Sequence, residues 1–190
     1  MAQQIETNFN VSIDVNGKEM VIPSVICLDD ESAIKALDWI NENAVHVALD
    51  TETEVYKNHK DASGGTYDLN TEGPGPMRVI TIAVYDEANT MTAFLFDMQH
   101  VSAKVVADRI PQRILFWNAD FDDGVLARDG IHVEDCLDLM FAQAILDLGK
   151  SGVKWYSSLA DTAMRYFETQ IEGKGGVQLS YSIGPDLTEE

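Results

Sequence analysis

Residues 48–53 read Ala48-Leu49-Asp50-Thr51-Glu52-Thr53, and the reading of this stretch decides the fold. It closes an apolar run, Val45 to Leu49, that predicts a buried strand over about residues 45–50. Side chains two apart on a strand share a face, so Asp50 and Glu52 point the same way. Two carboxylates at the mouth of a core strand are costly beside apolar surroundings unless a cation neutralises them. An oxygen-only pair suits a hard divalent ion such as magnesium or manganese, so a metal site at a strand end is the first expectation.

Upstream of this strand, Val11, Ile13 and Val15 alternate before Asn16-Gly17, and Met20 to Cys27 return, which predicts a hairpin over residues 9–27. Asp29, Asp30 or Ser32 then caps a helix running to about Asn43, with Ile34, Leu37, Trp39 and Ile40 on its apolar face. Downstream, residues 54–76 are polar and glycine-rich and read as a long surface loop. Arg78 to Tyr85 and Met91 to Phe96 predict two further strands of a meander. Ser102 caps a short helix that Pro111 terminates, and Arg113 to Phe116 form a fourth strand. The remainder reads as helical, over about residues 120–128, 138–148 and 157–167. Strands, a helix, a strand and then helices predict α/β layering.

At 190 residues and 45% hydrophobic, the chain can bury one real core, which argues for one domain rather than two. No apolar run approaches the roughly 18 residues of a membrane span, and the N-terminus lacks both the basic start and the apolar core of a signal peptide. A cytoplasmic location with no membrane partner is expected. Cys27 and Cys136 lie far apart and are read as ordinary core residues. The net charge of −19 excludes a protein that grips nucleic acid through a basic surface. Any such binding has to be local, metal-assisted or helped by a partner.

The second informative segment is Phe116-Trp117-Asn118-Ala119-Asp120-Phe121-Asp122-Asp123-Gly124, where a strand ends and a helix begins. Asp122 projects from the first helical turn, where a carboxylate is electrostatically favoured. It supplies a third candidate ligand.

Asp50-Thr51-Glu52-Thr53 followed by Asn118-Ala119-Asp120-Phe121-Asp122 resembles the first two motifs of the DEDD 3'-5' exonucleases, and in particular the proofreading domain of family A DNA polymerases. The resemblance runs over roughly residues 30–190 and includes Asp138-Leu139-Met140-Phe141-Ala142 and Ser158-Leu159-Ala160-Asp161. It implies a ribonuclease-H-like α/β fold, a mixed sheet flanked by helices, with residues 1–28 as a hairpin extension and 29–190 as the exonuclease-like domain. It also implies two divalent metal ions, Mg2+ or Mn2+, with one activating water and the other stabilising the leaving 3' oxygen. Asp50, Glu52 and Asp122 would be the catalytic metal ligands, Asn118, Thr51, Tyr56 and Phe121 would meet the substrate, and Asp138 would stand behind the ligands.

The implied partner is the 3' end of single-stranded DNA, with a polymerase domain in the same parent chain or complex. The family's third motif, a Tyr-x-x-x-Asp on a later helix, is missing. Leu179 to Glu190 resemble its lead-in, with Thr188 a good cap. A C-terminally incomplete domain of reduced activity is the expectation. Two rivals stay open: a related exoribonuclease, and a non-catalytic module that keeps the fold for partner binding. Asp120, Asp123, Asp129 and Asp135 read as solvated charges, no histidine is assigned a role, and Trp39, Trp117, Trp155, Tyr166 and Phe167 read as core packing.

Overall fold

The protein's computed structural model describes residues 5–15, 18–53, 75–150 and 158–168. The hairpin forms from β1 (Phe9–Val15) and β2 (Lys18–Cys27), antiparallel with Val15 opposite Lys18. The Asn16-Gly17 turn signal itself lies outside the described residues. Helix α1 (Asp30–Asn43) starts at the expected cap. Ser32 N donates to Asp29 Oδ1 at 2.7 Å, and Asp29 N donates back to Ser32 Oγ at 3.3 Å. Ala33, Ala36, Leu37 and Ile40, spaced i, i+3, i+4, i+7, are wholly buried. Burial of Leu37 or Ile40 contributes about 1.5–3 kcal/mol each. Trp39, on the flank of that face, packs on Phe94 with ring centroids 5.6 Å apart.

Strands β3 (Ala44–Thr53), β4 (Met77–Asp86) and β5 (Met91–Asp97) make the expected antiparallel meander. Helix α2 (Ala103–Ala107) is capped by Ser102 but ends with Asp108 as its C-cap, before Pro111 is reached. Next come β6 (Arg113–Phe116), α3 (Ala119–Arg128), β7 (Asp135–Asp138), α4 (Leu139–Leu146) and α5 (Leu159–Phe167). The seven strands form one sheet in the order β1-β2-β5-β4-β3-β6-β7. From β5 to β7 this is the ribonuclease-H-like arrangement, with three antiparallel strands and then two parallel to β3. The hairpin extends the sheet because β2 pairs parallel with β5, and Val25 and Cys27 enter the common core.

Several sequence expectations are corrected. The sequence predicts a helical remainder here, but Asp135-Cys136-Leu137-Asp138 has no strong local preference, and the parallel ladder from Arg113–Asp135 to Phe116–Asp138 makes it strand β7. An ion pair between Arg113 Nε and Asp135 Oδ2 at 2.8 Å links the two strands at the start of that ladder. β3 is not buried throughout. Val47 and Leu49 face the core, whereas Val45, His46, Ala48 and Asp50 are exposed, so the strand alternates as a half-covered strand must. Cys136, on the edge strand, is exposed, as are Tyr166 and Phe167 on α5. Trp155 lies outside the described residues. Among the described residues, no helix is long and apolar enough to cross a membrane.

Candidate active site

β3 and β6 run parallel, and in open α/β sheets ligands settle beyond the carboxyl ends of such strands. A cavity of about 390 Å³ lies there. Asp50, Thr51, Glu52 and Thr53 of β3 line it from one side, and Trp117, Asn118, Phe121 and Asp122 from the β6–α3 junction line another. Met140 of α4 and Ser158 and Leu159 at the head of α5 complete the wall. The two motifs, about seventy residues apart in the chain, therefore meet at one place.

The joint between them is a pair of hydrogen bonds. Asp122 is 2% exposed, and its Oδ1 accepts from Thr51 N at 2.8 Å and from Thr51 Oγ1 at 2.7 Å. Thr51 lies between Asp50 and Glu52, so this contact sets α3 against the acidic strand end. At Glu52/Thr53 the ladder to β4 shifts register: Glu52 faces Val79 and Thr53 faces Met77, leaving Arg78 as the extra residue. Such a bulge bends a strand end and re-aims its side chains. The Thr53 hydroxyl is buried with no hydrogen-bond partner among the described residues.

Asn118 adopts φ 72° and ψ 60°, a left-handed conformation that asparagine tolerates better than most residues, and its side chain makes no cap bond. Its backbone is held by Asp138. Asp138 Oδ1 accepts from Asn118 N at 3.2 Å, Met140 N at 2.8 Å and Phe141 N at 3.2 Å, and Oδ2 accepts from Ala119 N at 3.1 Å. One carboxylate thus caps α4 and clasps the turn that launches α3.

Helix α5 is fixed to α4 at its far end. Asp147, buried after the last turn of α4, accepts from Lys150 Nζ at 2.9 Å and from Arg165 Nη1 of α5, while Gln143 Nε2 donates to the Tyr166 hydroxyl at 3.0 Å. Hydrogen bonds from Gln143 and Lys150, with a smaller one from Arg165, hold the Asp147 pKa down at about 2 against the opposing pull of burial. At its near end α5 carries a capping box: Asp161 N donates to Ser158 Oγ at 3.0 Å, and Ser158 N donates to Asp161 Oδ2 at 3.4 Å.

Of the residues singled out from sequence, Asp50, Glu52, Asp122, Asn118, Thr51 and Phe121 come together on this cavity, and Asp138 stands behind it. Tyr56 lies outside the described residues. No described histidine lines the cavity. Sequence reasoning missed Trp117, read as core packing, although its place directly before Asn118 was a usable signal. The link from Thr51 to Asp122 and the approach of Ser158 and Leu159 had no local signal.

The donor set matches a hard divalent cation in kind, since all three acids offer carboxylate oxygens. Their placement is looser. Among the described residues, no three of His, Cys, Asp and Glu are gathered closely enough to hold an ion. Asp50 is exposed and Glu52 half-buried on one face of β3, while Asp122 is turned toward Thr51. Side-chain rotation would be needed to bring the three onto one ion.

No curated protein matches the chain as a relative. Among solved structures, Brucella melitensis NrnC with bound Mg2+ is 18% identical, over 75% of this chain and 66% of that one, with a TM-score of 0.45. NrnC from the same organism, described without a ligand, is also 18% identical over 75% of this chain and 68% of its own, with a TM-score of 0.46. A structure described as the apo form of a nuclease is 17% identical over 85% and 72%, with a TM-score of 0.44. The chain thus spans just under two thirds of the length of the magnesium-bound NrnC. The sequence profile of the 3'-5' exonuclease family, the kind associated with family A DNA polymerases, matches residues 25–178, which is most of the chain and includes both motifs. By that match, this chain is a member of the 3'-5' exonuclease family.

Proposed function

We propose that this chain hydrolyses the terminal phosphodiester bond of a single DNA strand from its 3' end, in association with a polymerase domain. The observation that carries this reading is the meeting of Asp50, Glu52 and Asp122 on one cavity beyond the parallel strands β3 and β6. Asp50, Glu52 and Asp122 would hold two divalent ions, Mg2+ or Mn2+. When bound, such ions supply a Lewis acid for the phosphate and a water activated at neutral pH. Thr51 holds the Asp122 carboxylate in register with the strand end, through N–H and O–H together. Asn118, set by its left-handed backbone and by Asp138, presents an amide to the strand. Phe121 offers an apolar surface beside it.

The dependence on metal also accords with charge. A chain of net charge −19 repels phosphate unless cations intervene. The test is digestion of 3'-labelled single strands of DNA and of RNA, with and without manganese. Metal-dependent release of terminal nucleotides from DNA, lost in Asp50→Ala, supports the reading. Release from RNA alone moves the substrate to ribonucleic acid. No release from either favours a binding module built on the exonuclease fold.

A further inference from the structure

The cavity poses a problem of grip. Its described lining carries three acids and neither lysine nor arginine, so the usual source of affinity for a nucleic acid strand, phosphate neutralisation by basic side chains, is missing from that wall. What the lining does offer is aromatic surface. Trp39 packs against the hydrophobic core, but Trp117 does not join it. Trp117 is half-buried on the cavity wall and, among the described residues, has neither an aromatic partner nor a hydrogen bond. Most of this large ring is buried, and what remains exposed opens onto the cavity beside three carboxylates.

The backbone that carries the indole is nevertheless held in place. Trp117 follows Phe116, which is 1% exposed and paired with β7, and precedes Asn118, whose N–H is clasped by Asp138. The backbone on both sides is fixed, so a flat ligand meeting the indole would lose little freedom in ordering it. Nucleobases are such ligands, and stacking on an aromatic side chain is tolerant of base identity and independent of phosphate charge. Resting on the exonuclease reading above, we infer that Trp117 is a base-stacking residue of the substrate cavity, and that the chain grips a strand there through its bases more than through its phosphates. Phe121, four residues on and packed partly on the core, flanks the same seat.

The experiment measures binding of a 5'-fluorescein single strand with a phosphorothioate 3' linkage, in manganese, to the 190-residue protein and to Trp117→Leu and Trp117→Phe. An abasic residue is placed in turn at each of the three 3'-terminal positions. For wild type, one of these positions should weaken binding roughly tenfold. In Trp117→Leu, binding of the intact strand should fall by about that factor, and the abasic penalty should shrink to under about threefold, because base and indole are lost as a pair. Trp117→Phe should fall between. The Trp117 contribution should also persist as salt is raised from 50 to 200 mM. An unchanged abasic penalty in Trp117→Leu, with the strand still bound and the melting temperature retained, overturns the stacking role and leaves the exonuclease reading standing. No strand binding by wild type overturns both. If Trp117→Leu melts early, Trp117→Phe decides: wild-type affinity and an undiminished penalty in it, together with an unquenched indole emission on adding the strand to wild type, overturn the proposal.

Discussion

Asp138→Ala tests the idea that one carboxylate organises the site from behind. Asp138 accepts four backbone N–H bonds, from Asn118 and Ala119 at the launch of α3 and from Met140 and Phe141 at the start of α4. Loss of a helix cap costs about 0.5–2 kcal/mol, and here two helix starts lose theirs together. Phe141 is exposed, so its N–H can turn to water, whereas Ala119 is buried and its N–H is the more costly one to strand. Asn118 also loses the contact that holds its left-handed conformation. The sum is a destabilisation of about 2–4 kcal/mol.

Urea denaturation at pH 7 should show this as a lower midpoint with an unchanged slope, and at ~2–4 °C per kcal/mol a thermal melt should fall by roughly 5–15 °C. The surviving folded protein should digest single strands at least about tenfold more slowly, since Asn118 and Asp122 both depend on that turn. Asp138→Asn, which keeps one acceptor oxygen, should recover part of the stability. A stability within about 0.5 kcal/mol of wild type would refute the account, because the loss of two helix caps and the stranding of the Ala119 N–H cannot cost so little unless the clasp does not form.

Asp122→Ala should abolish metal-dependent digestion, while Thr51→Val, which removes the hydroxyl but keeps the N–H bond to Asp122, should reduce it by roughly tenfold without abolishing it; equal rates for Thr51→Val and wild type would deny the hydroxyl any part in holding Asp122. Millimolar manganese should raise the melting temperature of wild type and not of Asp50→Ala, and an equal rise in both would place the metal elsewhere. The folded pKa of Asp147 is depressed to about 2 from an ordinary 3.8, so its stabilisation is present above about pH 4 and lost as pH falls toward 2. The difference in urea midpoint between wild type and Asp147→Asn should therefore narrow over that window, and a difference constant from pH 5 to pH 2 would count against the hydrogen bonds that Gln143, Lys150 and Arg165 give to Asp147. Of the two thiols, Cys136 is exposed, whereas burial, with Asp29 adding to it, pushes Cys27 up to about 12. A thiol reagent at pH 8 should titrate one cysteine in the native protein and the second only on unfolding.

The sequence by itself determined the local elements and the acids. The alternation of Val11, Ile13 and Val15, a helix cap at Asp29, Leu37 and Ile40 on one face of α1, and the apolar runs of β4 and β5 are short-range signals, and the backbone obeys them. The two acidic motifs were legible because strand alternation and a helix start constrain where a carboxylate can point. Tertiary structure alone decided the rest. Asp135-Cys136-Leu137-Asp138 becomes a strand through its ladder to β6, a partner more than twenty residues away. The choice of Thr51 as the group that holds Asp122 depends on β3 and α3 meeting across 71 residues. Trp117 looks like any core aromatic in a linear reading. What sets it apart is that the core is filled by Phe94, Phe96 and Phe116, and the turn clasped by Asp138 leaves the indole beside the acids. Periodicity reports which face a residue is on, and only packing reports what that face meets.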